Sequence, residues 1–161
     1  MNNLVIRRAT PADNETIAVF NERMAWETES LRLDAARIRS GVQSVLQDES
    51  KGFYLVAERD GEVIGQLMVT FEWSDWRNGN FWWIQSVYVH PDFRGQGVYS
   101  MLYRQLEAAA RQTEGVCGLR LYVEQENSRA SEVYRRLGMS MTAYRLLETD
   151  FVLKRDGSPE H

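Results

Sequence analysis

The chain has 161 residues, of which 43% are hydrophobic and 26% charged, and its formal net charge at pH 7 is −4. This length suits one domain with a sizeable core and is too short for two ordinary domains. The acidic balance argues against nucleic acid as a partner, because that affinity comes mostly from clustered Lys and Arg. A single cysteine, Cys117, excludes an intrachain disulfide. No apolar signal or spanning segment is visible, so we expect a cytoplasmic protein without a membrane partner.

The first 50 residues predict one strand and two helices. Residues 4–8 (LVIRR) suit a short strand, and a helix is expected after Thr10, an N-cap residue, because Pro11 suits the first helical position. No clear period is present in residues 25–32. A second helix is indicated by Asp34 as its cap and by apolar residues at helical spacing, namely Ile38, Val42, Val45 and Leu46.

Residues 53–90 predict a three-stranded antiparallel meander. The dipeptide Asp60-Gly61 separates the first two apolar runs, and Asp-Gly favours a two-residue turn in which both residues have positive φ. Asn78-Gly79 is expected to repeat this turn before the third strand.

The second half of the sequence predicts alternating helices and strands. A helix is expected from about Gly97 to about Gln112, with Val98, Leu102, Leu106 and Ala109 on one apolar face. The later elements predicted in chain order are a strand at 118–124, a helix from Asn127 to Gly138, and closing strands at 139–147 and 150–154. We expect one domain over residues 1–155 and a flexible tail over residues 156–161.

The stretch VYVHPDFRGQGVYSMLY, residues 87–103, predicts a strand, a glycine-containing loop and a helix start. This arrangement turns several backbone N–H groups toward the positive end of a helix, which suits a diphosphate. Gly95 and Gly97 would let the backbone approach phosphate oxygens, and Arg94 would add a positive charge. The loop is neither a Walker A sequence nor GxGxxG. On the residues alone, a tight turn without a ligand is an equal alternative.

The same stretch resembles the acetyl-coenzyme A loop of the GNAT superfamily of N-acetyltransferases, whose signature is R/QxxGxG/A. Arg94 and Gly97 match the first two signature positions, whereas Tyr99 stands where the family usually has a small residue. A second block, NSRASEVYRRLGM from Asn127, looks like the family's Asn, Ala, Tyr and Leu-Gly sequence. Together the blocks and the strand order cover roughly residues 50–140.

The resemblance implies an α/β (α+β) fold. We expect a single GNAT-like domain with a mixed, mostly antiparallel twisted sheet of six to seven strands and helices on both faces. It also implies a V-shaped cleft between two splayed parallel strands. Acetyl-coenzyme A (acetyl-CoA) is the implied co-substrate, and no metal site is expected because His90 lies in a turn and His161 ends the chain.

The resemblance also implies a role for individual residues. Val87, Tyr88 and Val89 would pair with the pantetheine, and one of their amides would point at the thioester oxygen. Asn127 would lie beside the pantetheine, and Tyr134 would be the general acid for the departing thiolate, although an N-cap and a core aromatic are the structural alternatives. The diphosphate would be held by the backbone amides of the loop, together with Arg94: Gly95, Gln96, Gly97, Val98, Tyr99 and Ser100.

Proton removal from the substrate amine requires a base or an ordered water chain. Glu72 is the candidate base. Strand alternation puts the odd-numbered residues of 67–73 on one apolar face and Glu72 on the other; a solvent-exposed strand end is the alternative. Trp26, with Glu27 and Glu29, lies in the region that often shapes the acceptor site in related enzymes. Aromatic faces beside carboxylates would suit a cationic amine, although packing tryptophans and a solvated acidic face are the more common alternatives.

The predicted function is therefore transfer of acetyl from acetyl-CoA to a primary amine of a small molecule or peptide by direct attack. Three alternatives stay open: a non-catalytic acetyl-CoA sensor of the same fold, an acyltransferase with a different acyl donor, and an interaction module whose Trp-rich hairpin binds a partner protein. The sequence does not fix the oligomeric state, and a homodimer is one of the outcomes considered.

Overall fold

A computed structural model describes residues 3–153 of the chain. The described chain forms two compact units, which meet along the sequence between Tyr122 and Val123. The expected single domain over residues 1–155 stays a prediction, and the expected tail lies outside the described residues. The strands and α-helices are β1 (Leu4–Arg8), α1 (Asn14–Glu29), α2 (Ala35–Gln47), β2 (Phe53–Arg59), β3 (Glu62–Ser74), β4 (Gly79–Val89), α3 (Val98–Gln112), β5 (Val116–Leu121) and α4 (Ser128–Arg136).

The first unit contains one sheet with the strand order β1-β2-β3-β4-β5. Neighbouring strands are antiparallel, except that β4 and β5 pair in parallel. The mixed, mostly antiparallel sheet of the prediction is confirmed. The count of six to seven strands is not confirmed, because the sheet in residues 3–153 has five.

Helices cover both faces of this sheet, as predicted. Tyr54 of β2 packs against Ile17 of α1 in a buried cluster that α2 completes. Tyr54 is paired with Met68 of β3, and Gly65, three residues from Met68, points to the opposite face. On that face a Cβ added to Gly65 would lie 3.2 Å from the Val98 side chain of α3. The first two helices therefore lie on one face and α3 on the other.

The apolar face of α3 differs by one residue from the prediction. Val98, Leu102 and Leu106 are buried, as their spacing predicts. Ala110 is buried in the next turn, whereas Ala109 is exposed. Both alanines lie close to the stripe because 3.6 residues complete a turn, so spacing alone does not separate them.

The first helix extends further than the sequence indicates. Pro11–Asp13 form a single 3-10 turn before α1, and the Thr10 N–H donates to the carboxylate of the turn's last residue at 2.7 Å. Trp26 lies inside α1, although the sequence of residues 25–32 has no clear helical period. Buried Ala25 keeps this part of the helix against the protein, and the helix ends where Ser30 adopts a left-handed φ of 50°.

One of the two predicted hairpin turns is confirmed. Asp60 and Gly61 both have positive φ, 52° and 84°, as the two-residue turn requires. The second turn is not Asn78-Gly79, because residues 75–78 form a four-residue turn and Gly79 is the first residue of β4. Gly79 is needed there for close approach, since a Cβ would lie 2.9 Å from the Gly115 carbonyl oxygen.

The second unit contains α4 and an irregular segment. Gly138 has a φ of 94° just beyond α4, as predicted for a left-handed helix end. The strands predicted at 139–147 and 150–154 are wrong for residues 139–153, which contain no strand, and Lys154 is outside the described part. The side chains of Leu147 and Phe151 are 94% and 93% exposed. An apolar pattern forms a strand only where a neighbour supplies the ladder, and this segment has none.

Candidate functional site

The loop between β4 and α3 has the backbone that the sequence indicates. Residues 91–93 form a 3-10 turn, and Gly95 and Gly97 follow with φ of 75° and 78°. Both values lie in the left-handed region, where a side chain would strain the backbone. A Cβ added to either glycine would meet no atom within 4 Å, so the space above this loop is open.

Several N–H groups of this loop and of the start of α3 have no protein acceptor. The first bond of the helix runs from the Met101 N–H to the Gly97 carbonyl at 3.1 Å. Among residues 3–153, no protein oxygen accepts from the N–H groups of Gly95, Gln96, Gly97, Val98 and Ser100. Unpaired N–H groups at a helix N-terminus favour a bound anion, and the open space fits a diphosphate.

Tyr99, the departure from the family signature, is half-buried on the first turn of α3. Its ring centroid lies 6.4 Å from that of Tyr103, one turn further along the helix. The side chain thus makes an aromatic contact along the helix, which is compatible with an open loop.

Arg94 is held by protein groups. Its Nε donates to the Val89 carbonyl at 2.8 Å, and its Nη2 donates to the Glu27 carboxylate at 2.8 Å. The guanidinium also lies 5.3 Å from the centroid of the Tyr88 ring. Glu27 thus offsets part of the positive charge expected beside the glycines, and the role of Arg94 at the diphosphate stays a prediction.

Tyr88 connects β4 to α1 through its side chain. Its ring lies 4.9 Å from Phe20, and its hydroxyl donates to Glu27 at 3.4 Å. Burial and, second, the Glu27 carboxylate raise the pKa of the Tyr88 phenol. The sequence placed Glu27 in the region of the acceptor site but did not indicate its contacts with Arg94 and Tyr88. Both partners are distant from Glu27 along the chain.

The second half of β4 has a free edge. Pairing with β5 ends at Ile84 and Leu121, whereas β4 continues through Val89. Within residues 3–153 no strand pairs with that edge beyond Ile84. Backbone groups of Val87, Tyr88 and Val89 thus lie on a strand segment that has a neighbour on one side only.

A β-bulge interrupts β4 at the start of this free edge. Met68 and Gln66 of β3 pair with Gln85 and Tyr88 of β4, so one residue of β3 faces two of β4. Ser86 within the bulge has a φ of 50°, which is uncommon for a residue other than glycine. This bulge could not be predicted from the sequence, because serine is not typical of a left-handed backbone.

Glu72 lies on β3 opposite Phe81, and its carboxylate forms an ion pair with Arg120 of β5. The Arg120 guanidinium lies 3.6 Å from the centroid of the Phe81 ring. The Glu72 side chain is exposed enough to meet solvent. The ion pair occupies this carboxylate, and the role of Glu72 as the base stays a prediction.

Asn127 and Tyr134 belong to the second unit. The Asn127 side-chain oxygen accepts from the Ala130 N–H at 3.0 Å, which confirms the N-cap. Tyr134 is half-buried in α4. The structure brings together residues 87–89 and 94–100 in the first unit, and the roles of Asn127 and Tyr134 stay predictions.

None of the helices within residues 3–153 has the length and apolar content needed to cross a bilayer. Residues 3–153 also contain no group of three or more His, Cys, Asp or Glu side chains that could hold a metal ion.

Known proteins match this fold and this loop. The model of the acetyltransferase (GNAT) family matches residues 14–139. A bovine (Bos taurus) thialysine N-epsilon-acetyltransferase is 34% identical over 76 residues, which are 47% of this chain and 44% of that protein. The chain spans less than half the length of the curated relatives it matches.

Solved structures match more of the chain. The crystal structure of a possible acetyltransferase from Clostridium difficile 630 is 42% identical, with a TM-score of 0.86 over 93% of this chain and 99% of that one. An aminoglycoside N-acetyltransferase in complex with CoA shares the fold, with a TM-score of 0.74 at 17% identity over 94% and 97% of the two chains. The matched range and the signature loop lead to one conclusion: this chain belongs to the acetyltransferase (GNAT) family.

Proposed function

We propose that the chain transfers the acetyl group of acetyl-CoA to a primary amine by direct attack. The observation that carries this proposal is the continuity between the free edge of β4 and the unpaired N–H groups of Gly95, Gln96, Gly97, Val98 and Ser100. A strand edge can pair with an extended amide chain, and the helix end can bind an anion. Acetyl-CoA contains both, with the pantetheine leading to the diphosphate.

The backbone between Gly95 and Ser100 holds the diphosphate in this proposal. Residues 87–89 pair with the pantetheine, and an amide there donates to the thioester oxygen as negative charge develops on it. Removing one such donor in other acyl-transfer sites costs about 100- to 1,000-fold in turnover. Arg94 keeps its contact with Glu27, which offsets part of the charge that Arg94 presents to the anion.

The chemical step forms the amide C–N bond and breaks the C–S bond. We assign the general acid that protonates the thiolate to Tyr134 on the family resemblance, and Asn127 to the pantetheine on the same ground. The attacking amine must also lose a proton. Glu72 stays the proposed acceptor, with an ordered water chain as the alternative because Arg120 already binds the Glu72 carboxylate.

The acceptor is a primary amine of a small molecule or a peptide. The relative that acts on thialysine supports an amino acid with a side-chain amine as the first compound to test. We propose that the protein is cytoplasmic and that its activity requires no metal, nucleic acid or membrane. It acts as a monomer or as a homodimer.

One observation favours a second candidate, an interaction module. Trp73 and Trp76 at the β3–β4 turn are 60% and 86% exposed, and an exposed aromatic patch is typical of a protein-binding surface. A partner protein bound there would not require turnover. The two candidates are separated by whether the chain releases thiol from acetyl-CoA.

The direct test combines binding with turnover. Calorimetry with CoA should give a Kd on the order of micromolar. A panel of amines, including amino acids and peptides, should then show release of free thiol from acetyl-CoA for at least one compound. Binding without turnover across the panel would favour the acetyl-CoA sensor, turnover only with longer thioesters would favour a different acyl donor, and no binding would contradict the proposal.

A further inference from the structure

Gln66 is a buried polar residue of β3 that faces the bulge of β4. Its side chain is 0% exposed, and its Nε2 donates to the Ser86 carbonyl at 3.2 Å. Its Oε1 is buried without a hydrogen-bond partner among residues 3–153. A core position with one unsatisfied atom is unfavourable for an amide, because the buried oxygen loses its hydrogen bonds to water without gaining a protein partner.

The bond to Ser86 fixes the orientation of one peptide group. The Ser86 carbonyl and the Val87 N–H belong to the same planar trans peptide, so they point in opposite directions. Gln66 holds the carbonyl toward β3. The Val87 N–H is consequently directed away from β3, toward the edge of β4 that is unpaired beyond Ile84.

We propose that Gln66 is a positioning residue that aims the Val87 N–H at the carbonyl oxygen of the thioester substrate. This inference rests on the proposed function and adds a residue that touches neither the substrate nor the loop. The proposal explains why polar Gln66 is buried in the core and why Ser86 beside it has a left-handed φ, since both features set the orientation of the same peptide group. Without the amide, the bulge can relax and the N–H loses its direction.

The test compares acetyl-CoA with CoA, which differ by the acetyl carbonyl. Gln66→Met keeps the length of the side chain and cannot donate. We expect its affinity for acetyl-CoA to fall by roughly 2- to 10-fold, the worth of one hydrogen bond, with its affinity for CoA unchanged. Its kcat should fall by roughly 10-fold or more, with an unchanged KM for the amine. Unchanged discrimination between the two ligands in a folded Gln66→Met would overturn the proposal.

A second variant keeps the test independent of folding losses. Gln66→Glu places a carboxyl group in a fully buried position, where burial raises its pKa and keeps the protonated form at acidic pH. That form can donate to Ser86, so discrimination should persist at acidic pH and disappear at alkaline pH. Discrimination that does not change with pH would count against the assignment.

Thr70→Val is the matched control. It removes another hydrogen bond between β3 and β4, the one that Gln85 Nε2 donates to the Thr70 hydroxyl at 2.5 Å, without touching the bulge. Its preference for acetyl-CoA should match that of the wild type, and a loss equal to that of Gln66→Met would overturn the proposal. If the wild type binds neither ligand, the proposed function fails instead, so the two failures are distinguishable.

Discussion

The Arg94 guanidinium of the loop donates to the Glu27 carboxylate of α1 at 2.8 Å, which ties together two residues that are 67 positions apart. The pair is half-exposed, and Tyr88 lies beside both side chains. It places a negative charge next to the N–H groups that we assign to the diphosphate. The loop thus combines an anion-binding backbone with a side-chain pair that is close to neutral.

Glu27→Gln should tighten CoA binding, because it removes a negative charge near the bound anion and leaves Arg94 in place. We expect roughly a 2- to 5-fold lower Kd at low salt, and a smaller change at high salt because ions screen exposed charges. Calorimetry at two salt concentrations measures both. As a control, Glu107→Gln disrupts an ion pair with Arg111 on α3 and should leave the Kd for CoA unchanged. Weaker binding by Glu27→Gln would show that the pair organises the loop.

Gly95→Ala should weaken CoA binding by roughly 10-fold or more, because the methyl group occupies the space in which phosphate oxygens approach the backbone. Gly61→Ala is the control, since its φ of 84° is also left-handed and an added Cβ there meets no atom within 4 Å. Each variant should lose about 1–2 kcal/mol of unfolding free energy. Equal CoA affinity in the two variants would argue against the loop as the anion site.

Tyr134→Phe should lower kcat by roughly 10-fold or more, with a nearly unchanged Kd for CoA, because it removes only the proton donor for the thiolate. Steady-state kinetics and calorimetry separate the two effects. A thioester with a more acidic thiol releases a thiolate that needs less protonation. Such a substrate should narrow the difference in kcat between the variant and the wild type. Wild-type turnover in the variant would remove Tyr134 from the mechanism.

Glu72→Gln should reduce kcat/KM mainly at lower pH, where the substrate amine is protonated and needs a base. At higher pH the amine is already neutral, and the variant should approach the wild-type rate. The pH dependence of kcat/KM measures this, with Glu62→Gln at the other end of β3 as the control. A profile of unchanged shape would favour proton removal through water.

Asp13→Asn should reduce stability at neutral pH. The hydrogen bond from Arg7, together with bonds from Thr10, lowers the pKa of the Asp13 carboxyl, although burial opposes this. A lowered folded-state pKa gives stability that is present above the unfolded-state value of about 3.9 and is lost as pH falls through the folded value. Thermal unfolding should therefore show a lower melting temperature for the variant than for the wild type near neutral pH, and this difference should shrink in acid. Exposed Asp75→Asn should show none.

The local parts of the fold could be predicted where the residues themselves determine the backbone. Asp60-Gly61 required positive φ at two positions, and the Asp34 side chain caps α2 by accepting from the Arg37 N–H. Asn78-Gly79 looked the same in sequence, but Gly79 is selected by the nearby Gly115 carbonyl, which is distant along the chain. A turn signal and a close-packing requirement therefore produce the same dipeptide.

The candidate site also contains a part that could be predicted from local sequence and a part that could not. The loop glycines and the start of α3 followed from the motif, because backbone conformation there depends on local residues. The bulge at Ser86, its bond to Gln66 and the pair between Arg94 and Glu27 did not, since each depends on a neighbour brought in by the sheet or by α1. The strands predicted after Met139 failed for the same reason, because their pattern needs a ladder partner.

The parallel pair of β4 and β5 is tight at one end. Gly79 lies against the Gly115 carbonyl, and a Cβ on Gly118 would lie 2.7 Å from the Phe81 ring, so neither glycine leaves room for a larger residue. Beyond Ile84 and Leu121 the two strands share no ladder bond. No β4–β5 ladder bond limits the spacing of the strands beyond that point, whereas widening the glycine end would disrupt the sheet. A change in the spacing of β4 and β5 is therefore least costly at the end that carries Ile84 and Leu121.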